Sequence, residues 1–240
     1  MMKKRALDVV GATLLALMLA PLIVGLAIAI KLDSKGPVLY RCRRVGIRGA
    51  EFTIVKFRKM HDLATGPKLT LANDPRFTRL GLFLARTKLD ELPQLWNIIR
   101  GDMSLVGPRP EDAEFVGHQA DRYRTIHKVK PGLTGLCQLA FVREAEVLSS
   151  VDLVGDYVDR LLPQKTLMDS LYAERRTFLM DLQILAWTVP SVLGLDVAVS
   201  RETGRLSLRR RRNVSRVPSA EQELNINPAV RESALTERGA

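Results

Sequence analysis

The stretch TKLDELPQ, Thr87–Gln94, sets two adjacent carboxylates, Asp90 and Glu91, just before a proline. An ionised carboxylate can act as a nucleophile, and its neighbour can hold a hard divalent cation. The same residues can also open a helix, because acidic side chains suit a first turn and proline is tolerated there. Thr87 reads as the N-cap of such a helix, with Asp90 in the place of the capping acid. Arg100-Gly101 reads as its stop. Basic residues that could serve a phosphate stand in two other motifs: Lys56 and Arg58 in KFRKM, and Arg109 in GPRP. A strand period of two puts Ile54, Lys56 and Arg58 on one face, with Val55 and Phe57 on the other. Two cations converging from one face could hold a diphosphate. A solvated basic edge that blocks strand pairing accounts for them equally well.

These side chains need elements to position them. VLYRCRRV and EFTIVKF flank the turn Gly46–Gly49 and read as a β-hairpin. Leu80, Phe83 and Leu84 recur at helical spacing, as do Leu92, Leu95, Trp96 and Ile99, so both sets read as core or membrane-facing positions and not as a binding box. Ser104–Val106 reads as extended, and the two prolines of GPRP stiffen the loop that carries Arg109. KPGLTGLCQ, Lys130–Gln138, reads as a tight loop. From Leu161 a long helical stretch runs through MDSLYAERRTFLMDLQILAWTVPSVL. Asp169, Glu174 and Asp181 interrupt its apolar content, so it suits an amphipathic helix lying on a membrane, with Trp187 near the headgroups. From Gly204 the chain is polar and aperiodic; a disordered segment is expected, with Arg209–Arg212 drawn to anionic lipid.

The 240 residues allow one sizeable domain with an anchor or tail. A formal charge of +11 calls for an acidic partner: nucleic acid, an anionic membrane or a phosphorylated substrate. Cys42 and Cys137 form no disulfide framework or metal spacing, and three scattered histidines give little support to a histidine metal site or a Ser-His-Asp triad. Val9–Ile30 carries no charge and spans roughly 33 Å as a helix. It is too long for a signal-peptide core and too apolar on every face for a buried soluble helix, so it reads as membrane-inserted. Lys3, Lys4 and Arg5 precede it; Lys31, Lys35 and Arg41 follow it. Basic residues favour the cytoplasmic side, and here both flanks are basic. With Pro21 near the middle, a helix that breaks at Ala20-Pro21 and returns satisfies both flanks, while a kinked spanning helix remains the alternative.

LDELPQLWNIIRGDMSLVGPRP, KFRKM, KPGLTGLCQ and the Ala20-Pro21 break together resemble the bacterial monotopic phosphoglycosyl transferases, over roughly Lys3–Leu193. The resemblance implies an α+β monotopic membrane protein. Its expected parts are a re-entrant helix-break-helix anchor (1–35), a catalytic domain on the cytoplasmic face of the inner membrane (36–200) and a basic tail (201–240). The small β-hairpin and amphipathic surface helices belong to the catalytic domain. The implied reaction moves a sugar 1-phosphate from a UDP-sugar to undecaprenyl phosphate, releasing UMP and starting a surface polysaccharide or glycoconjugate. By the same resemblance Asp90 is the nucleophile that forms a phosphosugar-aspartyl intermediate, and Glu91 binds Mg²⁺. Lys56, Arg58 and Arg109 serve the diphosphate and uridine end, and Asp169 matches a recurrent acid placed on the substrate side. The family pattern LR(K/R)TSLDELPQ is broken here by Ala85 and Lys88; if the lost arginine contacts substrate phosphate, either Arg86 or Lys88 stands in for it or donor preference and rate differ. The segment YAERR also departs from a YVEN-like pattern.

Two other classes fit less well. A nucleic-acid-binding protein would use the charge and the RRRR run. Aromatics are only 5%, however, no recognised binding motif occurs, and the apolar segment would have no role. A membrane-anchored scaffold leaves the acidic pair, KFR and GPRP without a shared purpose. The sugar carried by the donor, the pathway served and a homodimer in the membrane all stay open.

Overall fold

The computed structural model describes residues 2–62, 65–142 and 152–208. The basic tail expected beyond them, with Arg209–Arg212, lies outside the described residues. Helix α1 (Met2–Met18) and helix α2 (Ala20–Asp33) meet at Leu19 with a bend of 62°. Pro21 sits in the first turn of α2, where a missing N–H leaves no helical bond unmade. No single described helix is long and apolar enough to cross a membrane.

Both ends of this bent pair are fastened to the rest of the chain. At the start, Lys4 Nζ donates to Asp181 Oδ2 (2.7 Å) and to the Val106 carbonyl (3.1 Å). Arg5 donates to the carbonyls of Ile98 (2.6 Å) and Ile99 (2.8 Å), and buried Asp8 accepts from Ser104 Oγ and the Leu105 N–H, both at 2.9 Å. At the far end, Arg58 donates to Ser34 Oγ (2.8 Å) and to the Ser34 carbonyl (2.9 Å). Between these anchors Val10, Leu14, Leu17, Met18, Val24 and Ile28 are each more than half exposed.

Strands β1 (Leu39–Val45) and β2 (Glu51–Phe57) form the expected antiparallel hairpin, Leu39 opposite Phe57 and Val45 opposite Glu51. Helix α3 (Arg79–Thr87), helix α4 (Gln94–Arg100) and strand β3 (Ser104–Val106) follow. Short helices α5 (Ala113–Gly117) and α6 (Ala120–Ile126) lead to β4 (Gly132–Thr134) and α7 (Leu136–Ala140). After the undescribed 143–151, α8 (Leu153–Asp156) and a π turn at Tyr157–Leu161 enter α9 (Leu162–Arg175). Helix α10 (Phe178–Val192) and an antiparallel pair, β5 (Val197–Val199) with β6 (Leu206–Leu208), complete the described fold. The mixture of helices with small two-stranded sheets agrees with the α+β expectation. The main core gathers Ala12 of α1, Ile54 of β2, Ile98 of α4, Leu136 of α7, Tyr172 of α9 and Ile184 of α10. Asn97 of α4, buried, serves the open edge of β2: its Oδ1 accepts from Val55 N–H (3.1 Å) and its Nδ2 donates to the Thr53 carbonyl (2.7 Å). It stands in for a third strand and locks α4 to the hairpin.

Four local expectations change. Thr87 does not cap a helix ahead of it. It is the last residue of α3, and its hydroxyl bonds back to the Phe83 carbonyl at 2.8 Å. Lys88 then takes a left-handed conformation (φ 59°), which ends α3 and reverses the chain before Asp90 can join a regular helix. KPGLTGLCQ is not only a loop: Gly132–Thr134 pairs in parallel with β3, because the Pro131 carbonyl and Gly132 N–H find partners in Ser104 and Pro108. The long helix from Leu161 is two helices, split where Thr177 turns extended and its side chain caps α10 at the Met180 N–H. The hairpin of β5 and β6 also carries ordered chain past the boundary expected at residue 200 and past Gly204.

Candidate active site

Asp90 and Glu91 occupy a single 3-10 turn, Leu89–Glu91, between the reversal at Lys88 and Pro93, which immediately precedes α4. Asp90 is 1% exposed. Lys59 Nζ lies 3.1 Å from its Oδ2, outside hydrogen-bond angles, and neither carboxylate oxygen accepts a hydrogen bond from a described residue. A buried carboxylate with unused lone pairs is costly unless something else approaches it. Glu91 is better provided, with Lys56 Nζ donating to its Oε1 at 3.0 Å. Burial pushes its carboxyl up, but Lys56, Arg109 and Lys88 outweigh burial and hold its pKa down at about 2. This ionisation comes from neighbouring cations, not from the dipole of a long helix. Burial and Arg109 push the Lys88 ammonium below its ordinary value, while Glu91 and Asp90 oppose them.

The hairpin and α3 bring the two lysines here by different routes. Lys56 belongs to β2 and follows its alternation. Lys59 lies two residues beyond the strand, where its carbonyl receives the Thr78 N–H at 3.1 Å and passes tightly against Gly81. A Cβ on Gly81 would stand 1.8 Å from that oxygen, so α3 can approach only with glycine there. Arg58 does not join them. Strand alternation ends at Phe57, and the Arg58 guanidinium turns the other way, onto Ser34 and Pro37. The structure thus brings together Asp90, Glu91, Lys56 and, electrostatically, Arg109, and sends Arg58 to the base of the helix pair.

Asp169 is held apart from the turn. It is 3% exposed on α9, beneath the GPRP loop, where it accepts the Arg109 N–H with both oxygens at 3.3 Å. Burial raises its pKa to about 8, against the opposing pull of that N–H, Lys165 and Arg109, so at neutral pH it is predominantly a neutral acid. Beside it Lys165 Nζ donates to Tyr157 Oη (2.7 Å), and Tyr157 Oη donates to Glu111 Oε2. Such a buried network supports the loop that presents Arg109. Gly107 makes the loop's other contact, with no room for a Cβ beside the Lys130 carbonyl (2.5 Å).

Sequence reasoning passes over Lys59, Asn97 and the Glu111–Tyr157–Lys165 group. Lys59 stood within KFRKM, but the period of two favoured Arg58. The others are separated widely in sequence, and no local pattern joins them.

A buried acidic turn ringed by lysine and arginine, on a small α+β domain tied to an apolar helix pair, defines a centre for handling anionic groups. The chain belongs to the bacterial sugar transferase family, whose model matches residues 1–194. It is 41% identical over 202 residues to a UDP-glucose:undecaprenyl-phosphate glucose-1-phosphate transferase of Caulobacter vibrioides, covering 82% of this chain and 72% of that protein. A protein of the same description from Escherichia coli K12 is 46% identical over 145 residues, 57% of this chain but only 30% of the relative. An exopolysaccharide production protein of Rhizobium leguminosarum bv. phaseoli is 38% identical over 175 residues, 64% of this chain and 86% of the relative.

Proposed function

We propose that the protein transfers a sugar 1-phosphate from a UDP-sugar to undecaprenyl phosphate, the first membrane step of a surface polysaccharide pathway. The relatives' substrates suggest UDP-glucose as the donor to try first. The observation that carries this reading to particular residues is Asp90: a buried carboxylate whose oxygens accept no hydrogen bond from the described residues, with Lys59 and Lys88 near it and Lys56 and Arg109 acting on adjacent Glu91.

In the proposed reaction an Asp90 oxygen attacks the β-phosphorus of the donor. The bond from that phosphorus to the bridging oxygen breaks, and UMP leaves with the electron pair. A phosphate oxygen of undecaprenyl phosphate then attacks the same phosphorus and releases the Asp90 carboxylate. The surrounding cations offset the repulsion between an anionic nucleophile and an anionic diphosphate. Lys59, with Nζ 3.1 Å from Asp90 Oδ2, places a positive charge beside the attacking carboxylate. Arg109, on a loop stiffened from behind by Asp169, binds the donor's phosphates through a planar fork suited to two-point contacts.

Mg²⁺ suits this donor set. Among the described residues no three His, Cys, Asp or Glu side chains gather into a cage, but Mg²⁺ is ordinarily held by one or two carboxylates together with substrate phosphates. Glu91, kept ionised, would hold it, with the unused oxygens of Asp90 close in sequence. When bound, the ion neutralises charge on the diphosphate and the departing UMP.

The bent pair α1–α2 acts as a re-entrant anchor that enters and leaves the inner membrane at its cytoplasmic face. Support comes from its two ends, both fastened to the catalytic domain, and from the exposed apolar side chains between them. Helix α10, with Phe178, Leu179, Leu182, Val189 and Val192 exposed, lies along the same surface, while Trp187 packs inward against the core. The test is turnover by purified protein with UDP-glucose, undecaprenyl phosphate and Mg²⁺, followed as UMP and lipid-linked sugar. The reading expects both products, with loss of at least about a hundredfold in Asp90→Asn. Absence of UMP across a panel of UDP-sugars would refute it.

A further inference from the structure

Lys88 is an unusual residue for its place. Among the described residues it shares a positive φ with one other non-glycine residue, Arg48, which closes the β1–β2 turn. A left-handed position ordinarily takes glycine or asparagine, because a Cβ crowds the following carbonyl. Lys88 therefore carries a charge at a point where the backbone would prefer no side chain at all. The position is also the junction between α3 and the turn holding Asp90 and Glu91.

Three lysines, Lys56, Lys59 and Lys88, act on the two carboxylates at that junction. Lys56 is paired with Glu91 at 3.0 Å and Lys59 with Asp90 at 3.1 Å. Lys88 and Arg109 add two further positive charges that act on Glu91. Lys88 keeps much of its surface in solvent while neighbouring atoms partly desolvate its ammonium; its side chain makes no hydrogen bond or ion pair among the described residues and lies within electrostatic reach of Asp90, Glu91, Lys59 and Arg109. A partly desolvated ammonium on a left-handed residue, beside an acidic turn already neutralised by two other lysines, is poorly explained by folding. It is well explained by an incoming anion.

We propose that Lys88 binds a phosphate group of a substrate at the mouth of this site, and so acts as a binding determinant beyond the acidic pair. This rests on the phosphoglycosyl transferase reading for the identity of the substrates, in which the phosphate belongs either to the UDP-sugar or to the lipid acceptor.

The experiment compares full-length wild type with Lys88→Gln, Lys88→Arg and Lys88→Gly. KM is measured for UDP-glucose and for undecaprenyl phosphate, each with the other saturating, alongside binding of each substrate and the thermal midpoint. Lys88→Gln is expected to weaken one substrate about tenfold, the loss typical of one charge-assisted contact. Lys88→Arg should keep most of the affinity. Lys88→Gly should bind as weakly as Lys88→Gln while unfolding no earlier than wild type, since glycine relieves the left-handed strain. A shift confined to UDP-glucose assigns the donor diphosphate; a shift confined to undecaprenyl phosphate assigns the acceptor. Unchanged affinity for both in Lys88→Gln, or wild-type affinity in Lys88→Gly, would overturn the proposal. Wild type that binds but releases no UMP would instead sink the transferase reading, and the binding comparison would still decide the role of Lys88.

Discussion

Replacing Asp169 by asparagine tests whether that buried acid supports the Arg109 loop as a neutral group. Its pKa rises from the ordinary 3.8 to about 8 in the fold, because burial outweighs the Arg109 N–H and the nearby cations. Between those two values the unfolded chain has released a proton that the native state keeps. Native stability from this residue is therefore complete below pH 3.8, declines as pH rises, and is fully lost above about pH 8. At about 1.4 kcal/mol per pH unit, the span of roughly four units is worth on the order of 5 kcal/mol. Asparagine keeps an oxygen acceptor for the Arg109 N–H but cannot ionise. Stability relative to wild type, from chemical denaturation in one detergent at each pH, should therefore shift in favour of Asp169→Asn between pH 5 and 8. Turnover at pH 7 should stay within about tenfold of wild type, since a neutral acceptor is retained. Parallel stability curves over that range would refute the neutral-acid assignment. A loss of activity comparable to Asp90→Asn would instead point to direct substrate contact by a charged Asp169.

Other changes separate binding from scaffolding. Arg58→Ala removes the bonds to Ser34 and Pro37, so it should lower stability by about 2–4 kcal/mol while leaving KM for UDP-glucose within about threefold, measured by denaturation and initial rates. Gly81→Ala forces a Cβ against the Lys59 carbonyl; a stability loss of at least about 2 kcal/mol and a fall in kcat are expected as α3 shifts and Lys59 leaves Asp90. Glu91, depressed from 4.5 to about 2, contributes stability that is present above pH 4.5 and disappears as pH falls toward 2. Glu91→Gln should consequently flatten the acid side of the stability profile, followed by fluorescence on acid titration.

The sequence makes the hairpin legible because alternation and a glycine-bearing turn are local signals. The Ala20-Pro21 break is legible for the same reason: proline fixes its own φ and removes one donor. Asp90 and Glu91 stand out by adjacency, but their setting does not. A threonine before an acid resembles an N-cap, and only the fold reveals that Lys88 turns left-handed and that Thr87 bonds backward. Strand alternation misdirects attention to Arg58 because it stops at Phe57, one residue earlier. Lys59 reaches Asp90 through the packing of Gly81, a contact no periodicity encodes. Asn97 looks like a surface residue in a short helix, yet it completes the edge of β2. Of the two cations near the family's missing arginine at Ala85, Lys88 acts on the acidic pair, whereas Arg86 is exposed near the end of α3.

The most direct test of the central claim is to incubate the protein with UDP-glucose labelled in the β-phosphate, with Mg²⁺ and without acceptor, and to map the label by mass spectrometry. UMP release is expected, matched by a phosphosugar on Asp90 that is discharged when undecaprenyl phosphate is added and absent in Asp90→Asn. Full turnover by Asp90→Asn, or acceptor-dependent UMP release with no label ever held on Asp90, would contradict it.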